Sequence, residues 1–259
     1  MADLHHVKFG WKPDVPDFRD FDYGQMRMKL EKPRTLPKFV DLSNSFGPCD
    51  DQGDLGSCTA HAISGAIEFD RVKQKLEFFD VSRLFIYYNE REAENTINED
   101  AGAYIRTGIK SLANVGYCHE SLWPYDISKF TNKPQQSAYD EAVKYKALSY
   151  YRIDNSKLLH LKACLAGGFP FVFGVSIYQS FYDGDANKGL VPMPGAHDEN
   201  LGGHCILAVG YEDSKSVFKI RNSWGTGCGD NGYYYLPYDY LTNTQLADDF
   251  WTVRSITAV

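Results

Sequence analysis

One stretch constrains this chain more than any other: Gln52-Gly53-Asp54-Leu55-Gly56-Ser57-Cys58-Thr59-Ala60-His61-Ala62. Its two glycines allow backbone turns that other residues resist. Apolar residues then recur at Ala62, Ile63, Ala66, Ile67 and Phe69, a helical spacing. The pattern predicts a glycine-rich loop running into a helix, with Cys58 at or just before its first turn. The first N–H groups of a helix lack internal partners, and the positive end of the dipole lies there. Both favour a thiolate over a thiol, which makes Cys58 a candidate nucleophile. The competing reading is a small buried apolar cysteine, and it leaves the polar loop unexplained.

The chemistry of a nucleophilic thiolate says what else to look for. It needs a partner that stabilises it and later gives a proton to the leaving group, a task suited to histidine near neutral pH. The imidazole needs an orienting group, and the developing oxyanion needs donors. The chain offers Gly202-Gly203-His204-Cys205-Ile206-Leu207-Ala208-Val209-Gly210-Tyr211, then Arg221-Asn222-Ser223-Trp224-Gly225, and Gln52 on the same loop as Cys58.

These residues, in this order, resemble the papain-like cysteine peptidases. The spacing from Cys58 to His204 falls within the roughly 130–150 residues of that family, with Asn222 somewhat beyond. Leu36-Pro37-Lys38-Phe39-Val40-Asp41 is similar to the start of mature family enzymes, and Gly227-Cys228-Gly229-Asp230-Asn231-Gly232-Tyr233 to the turn after the asparagine. The resemblance implies an α+β, two-lobe fold with the active site in the cleft between lobes. Residues 36–145 would form a helical lobe carrying the nucleophile, and residues 146–259 an antiparallel sheet or barrel carrying His204 and Asn222. It implies an endopeptidase in which Cys58 attacks the peptide carbonyl, His204 protonates the departing amine, and Asn222 fixes the imidazole. Gln52 and the Cys58 backbone N–H would hold the oxyanion. Trp224 would shield the His204–Asn222 bond, and Gly102, Ala103, Gly203 and Trp224 would line the substrate cleft. His61 reads as packing.

The chain departs from the family pattern at three places. Leu55 stands where a second cysteine is usual, Thr59 where an aromatic follows the nucleophile, and Cys228 in place of an aromatic in the glycine-rich turn. None removes a catalytic group. They leave open a catalytically silent binding or storage protein, and an acyl transferase would use the same residues.

Residues 1–35 read differently from the rest. Gly10-Trp11-Lys12-Pro13-Asp14-Val15-Pro16-Asp17-Phe18-Arg19-Asp20 mixes prolines, aromatics and charges without helical or strand period. Prolines hold such a segment extended. Set beside the resemblance, it is expected to be a short prosegment acting as an intramolecular inhibitor, anchored by Trp11 and Phe18. An ordered arm packed elsewhere, or a mobile tail, is the other reading.

Beyond the N-terminal segment, Ser82 is expected to cap a helix through Tyr88, and Glu90 to Asp100 to form a solvated loop or helix end. Tyr104–Asn114 and Leu158–Ala166 read as helices, the second capped by Asp154. Strands are expected at Phe169–Ile177, His204–Tyr211, Val217–Arg221, Gly232–Leu236 and Trp251–Ser255, with a long loop over Tyr178–Gly203.

A net charge of −7 argues against nucleic-acid binding. No apolar run approaches the roughly 20 residues of a membrane span. The expected partner is a peptide or protein substrate, the expected state a monomer, and no cofactor or metal is called for. Met1–His6 lacks the features of a secretory signal, which points to the cytoplasm unless a signal was removed, in which case a lysosome-like or secreted setting applies. Of six cysteines, Cys164 and Cys205 read as buried thiols, and Cys49 with Cys118, both in loops, is the expected disulfide.

Overall fold

The structure, a computed structural model, describes residues 8–30 and 35–258. The remainder of the expected N-terminal extension, including the Met1–His6 stretch, lies outside the described residues. The elements run β1 (Trp11–Lys12), α1 (Tyr23–Leu30), β2 (Phe39–Asp41), α2 (Cys58–Lys73), α3 (Arg83–Glu94), β3 (Ala103–Tyr104), α4 (Ile105–Asn114) and α5 (Gln136–Ala142). They continue with β4 (Ala147–Ile153), α6 (Leu158–Ala166), β5 (Phe171–Tyr178), α7 (Asp183–Ala186), β6 (Asn200–Glu212), β7 (Val217–Arg221), β8 (Tyr233–Pro237), α8 (Tyr238–Thr242) and β9 (Ala247–Ile256).

Helices dominate the first half and an antiparallel sheet the second, the α+β arrangement expected. The sheet has the order β4-β9-β5-β6-β7-β8, with β2 added to β6. β5 and β6 are buried along most of their length, which explains their nearly unbroken apolar sequence. α2 packs on β6 and β9 from the helical side, and α6 packs on β6. Two large cores result: Ile63, Ile67, Leu84, Leu112 and Trp251 lie under the helices. Phe171, Phe173, Phe218 and Phe250 fill the β-rich side. Because β2 pairs with β6, residues 39–41 belong to the sheet rather than to the helical lobe drawn from residue 36.

Ser82 caps α3 as its sequence suggests, accepting the Phe85 N–H at 3.1 Å. Three local expectations change. The side chain of Asp154 accepts from the Ser156 N–H, and the residue capping α6 is Lys157, without a side-chain bond. Glu90 and Arg91 are buried inside α3 rather than solvated: Arg91 donates to backbone carbonyls of Ile97 and Glu99, and Thr59 Oγ1 donates to Glu90. Cys49 and Cys118 are separate free thiols, as are the other four cysteines, so the expected disulfide does not form. Cys49 is packed against Gly232 and the Arg221 guanidinium, whereas Cys118 sits in a cluster with Phe85, Ala138 and Ala142.

Candidate active site

α2 begins at Cys58 itself. The loop before it is pinned at Gln52, whose backbone N–H donates to Ser223 O at 2.9 Å. Ser223 Oγ donates to Gln52 Oε1 at 2.7 Å, which turns the amide nitrogen toward the cleft. Gln52 Nε2 donates to Leu55 O at 2.9 Å and to Lys8 O at 3.0 Å.

From the other side, β6 delivers His204 opposite Val175 of β5. Asn222 Oδ1 lies 2.8 Å from His204 Nε2 and also accepts the Ser223 N–H at 2.8 Å. The second bond identifies Oδ1 as the acceptor, so the His204 proton resides on Nε2 and Nδ1 keeps its lone pair. Trp224 stacks on the imidazole, with ring centroids 5.0 Å apart, and closes its outer side. Phe9 meets the same imidazole edge-on at 6.0 Å.

The Cys58 sulfur is completely buried and faces the backbone N–H groups of Cys205, Gly10 and Thr59. His204 Nδ1 has no hydrogen-bond partner among the described residues, so thiol and imidazole are not joined in this state. Burial pushes the Cys58 thiol up to about 12, against the pull of the three N–H groups, and Glu90 adds to the rise. Burial also lowers His204 to about 4, against the support of Asn222. Both groups are therefore neutral around pH 7. The expectation of a thiolate at the helix tip fails here because desolvation outweighs the dipole and the N–H donors.

What buries them is the chain's own N-terminus. Trp11 and Lys12 pair in parallel with Ala103 and Tyr104, and the Ala103 N–H donates to Gly10 O at 2.8 Å. Gly10 passes between Gly56 and Gly102 so tightly that a Cβ on Gly10 would overlap the Gly56 carbonyl. Gly102 itself has φ of +66°, and a Cβ there would run into Gly10. A Cβ at Gly203 would stand 2.7 Å from Trp11 O. Thus Gly102, Ala103 and Gly203 all meet the arm, whereas Trp224 lies behind His204 and is only 5 % exposed. His61 packs edge-on against Tyr125 and bonds Ser57 O through Nδ1 at 3.0 Å.

Beyond Lys12 the arm is held by ions. Arg106 pairs with Asp14 at 3.0 Å and Asp20 at 2.8 Å. Asp14 N–H and Trp11 Nε1 both donate to Asp249 Oδ2, at 2.7 and 3.0 Å. Of the two anchors expected from sequence, Trp11 is inserted but Phe18 is 99 % exposed; Phe9 takes the second place. Phe9, Gly10 and Asp249 were not legible as site residues. Asp249 lies in a strand far along the chain, and its role depends on a pairing of β9 with β5 that no local pattern encodes.

Comparison with known proteins places this geometry in context. Residues 36–252 match the model of the papain family cysteine proteases. An uncharacterized peptidase C1-like protein of Acanthamoeba polyphaga mimivirus is 43% identical over 96% of this chain and 87% of its own. A cathepsin L-like peptidase of Aedes aegypti is 27% identical, over 90% of this chain and 70% of its own. The crystal structure of xylellain, a cysteine protease from Xylella fastidiosa, superposes with a TM-score of 0.87 at 43% identity, covering 95% of this chain and 96% of that one. Procathepsin L 3 of Tenebrio molitor shares the fold at 19% identity, with a TM-score of 0.67, over 86% of this chain and 70% of that one.

Proposed function

For a chain that belongs to the papain family of cysteine proteases, and is a cysteine peptidase with peptide or protein substrates, we propose a latent enzyme closed by its own N-terminal arm. Cys58 is the nucleophile, His204 its proton partner, Asn222 the residue that orients the imidazole, and Gln52 the oxyanion donor. One observation carries the reading. The segment from Lys8 to Lys12 lies in the cleft as a peptide would, with its Lys8 carbonyl on Gln52 Nε2 and its Gly10 backbone on Ala103.

The steps follow from the atoms. With the arm lifted, water reaches Cys58 and His204, and the desolvation that keeps both neutral is relieved. Rotation of the Cys58 side chain away from the Cys205 N–H then brings the sulfur to His204 Nδ1, the ring nitrogen left without a partner. The proton passes to the imidazole and the thiolate attacks a substrate carbonyl carbon. The oxyanion takes N–H donors from Gln52 Nε2 and the Cys58 backbone, a contribution typically of about 3–4 kcal/mol per donor removed. The imidazolium protonates the amine leaving group, and a water molecule, deprotonated by His204, hydrolyses the thioester.

The test is covalent. An epoxysuccinyl peptide should label Cys58 of the full chain slowly, and much faster once the arm is loosened by substitution at Gly10. Labelling that is absent in both forms, in correctly folded protein, would rule the mechanism out.

A further inference from the structure

Cys58 and Cys205 meet where α2 packs on β6. On the helix, Cys58, Ala62 and Gly65 form one stripe, at i, i+4 and i+7. On the strand, Cys205 and Leu207 share the face opposite to His204, because side chains alternate. The two stripes run along each other. A Cβ on Gly65 would stand 3.3 Å from Leu207 Cδ2, and Ala62 borders the same small cavity as Cys205 and Leu207. One turn further back, the Cys58 sulfur takes the backbone N–H of Cys205. Both cysteines are buried in one apolar core. No other thiol shares it. Cys164 and Cys228 lie in the β-rich core, Cys118 in the cluster with Phe85, and Cys49 against the Arg221 guanidinium.

A buried cysteine alone reads as a small apolar side chain. The orientation of the nucleophile gives this one a chemical meaning. In the closed state the Cys58 sulfur is turned to residue 205, and His204 Nδ1 is left without a partner among the described residues. The sulfur thus has two resting places, one on the imidazole for catalysis and one beside a second thiol. With the arm lifted, Cys58 is an exposed thiolate next to an imidazolium, the kind of sulfur that peroxides oxidise. A sulfenic acid with no thiol at hand proceeds to sulfinic acid, which reductants do not recover; a thiol in contact diverts it into a disulfide.

We propose that Cys205 is the resolving thiol for Cys58, so that oxidation of the open enzyme stores it as a Cys58–Cys205 disulfide that a dithiol reverses. The proposal rests on the peptidase reading, which supplies the open state and its thiolate. The Cys58 thiolate attacks one oxygen of hydrogen peroxide. The O–O bond breaks, sulfur is oxidised and peroxide reduced, and the hydroxide released takes the His204 imidazolium proton to become water. The Cys205 sulfur then attacks the sulfur of the Cys58 sulfenic acid. The S–O bond breaks, and hydroxide leaves with the Cys205 proton as a second water. The S–S bond holds the nucleophile on the β6 side, out of reach of His204. A dithiol reductant restores both thiols and is itself oxidised to a disulfide.

The test uses the full chain carrying Gly10→Ala, with and without Cys205→Ala. Cys205→Ala keeps the backbone N–H, so before oxidation both forms should hydrolyse a fluorogenic peptide equally and take an epoxysuccinyl label at Cys58. After brief exposure to hydrogen peroxide, the Gly10→Ala chain should lose its activity and two of its six titratable thiols. It should yield a Cys58–Cys205 linked peptide in mass spectrometry and regain its activity in dithiothreitol. The chain that also carries Cys205→Ala should lose activity, carry sulfinic or sulfonic acid at Cys58, and stay inactive in dithiothreitol. The linked peptide needs no change at Cys205, and its absence from peroxide-inactivated Gly10→Ala enzyme would overturn the proposal. Equal recovery with and without Cys205, in enzyme that labels, would do the same and leave the peptidase reading intact. No labelling and no hydrolysis before oxidation would overturn both.

Discussion

Replacing Gly10 by alanine is the smallest change that should open this enzyme. The added Cβ would overlap the Gly56 carbonyl and stand 3.0 Å from Gly56 Cα. Its neighbour there is backbone, so no side chain can swing aside. Gly56 is in turn fixed by its N–H bond to Asp100 at 3.0 Å. Relief therefore requires the arm to move out. Moving it breaks three bonds that hold this part of the arm: Ala103 N–H to Gly10 O at 2.8 Å, Gln52 Nε2 to Lys8 O at 3.0 Å, and Trp11 Nε1 to Asp249 at 3.0 Å. At about 1 kcal/mol for each neutral bond and somewhat more for the one to a carboxylate, the closed state loses roughly 3–5 kcal/mol. That is a shift of about 10²- to 10⁴-fold in the open-to-closed ratio. The assay is hydrolysis of a fluorogenic peptide by intact chain, with kcat/KM referred to titrated Cys58. Activity should rise toward that ceiling in Gly10→Ala, while denaturant unfolding of the body changes little. Unchanged or lower activity in a folded, labelled G10A chain would refute the reasoning, because a backbone overlap of this kind cannot coexist with the observed seating of the arm.

The ionic part of the arm carries a pH dependence of definite sign. Asp14 faces Asp249, Arg106 and Arg152, and burial together with Asp249 outweighs the guanidinium charges, pushing its carboxyl from 3.8 up to about 7. A raised carboxyl pKa in the closed state means that closure takes up a proton. The arm is then held most firmly below about pH 4 and loosens as pH rises through about 7, by at most about tenfold per pH unit. Latent activity should climb over that window, and Asp14→Asn should flatten the climb. Ser82→Ala removes both the cap on Phe85 N–H and a 2.6 Å bond to Trp123 O, and should cost about 1–2 kcal/mol in urea unfolding. Glu90 is fully buried, and burial raises its carboxyl well above 4.5, so its surroundings favour the neutral form. Glu90→Gln should therefore stay within about 1 kcal/mol of the parent, whereas Glu90→Ala, which orphans Thr59 Oγ1 and opens a cavity, should cost about 2–4 kcal/mol in the same assay.

Much of the site was readable because its residues sit on local patterns. Glycines followed by a helical apolar period placed Cys58 within one residue of the helix start, and the apolar run after Gly203 located the strand bearing His204. The bounds of α6 and β7 agree with the expected ones, since each is a short periodic segment between clear breakers. Charge balance and pairing across distance were not readable. The state of Cys58 depends on burial by residues nearly fifty positions upstream, which reverses the effect of the helix tip. Phe18, expected as an anchor, points to solvent between Asp17 and Arg19, which pair with each other at the surface. The polar stretch from Glu90 reads as solvated, yet backbone carbonyls and Thr59 satisfy its polar groups. β4 went unseen because only its end residues Ala147 and Ile153 are buried and the stretch between mixes tyrosine with serine and arginine.

The central claim is that Cys58 and His204 form a competent pair held neutral by the arm. The rate of Cys58 alkylation by iodoacetamide as a function of pH, in the intact chain and in Gly10→Ala, tests it most directly. In the intact chain the rate should stay low at neutral pH and rise only in alkali, as befits a thiol pushed up to about 12. In Gly10→Ala a reactive plateau should extend below pH 6, the mark of a thiolate paired with an imidazolium, and His204→Ala in that background should erase it. An intact chain that reacts as readily at pH 5 as the Gly10→Ala form, or a Gly10→Ala plateau that survives loss of His204, would contradict the account.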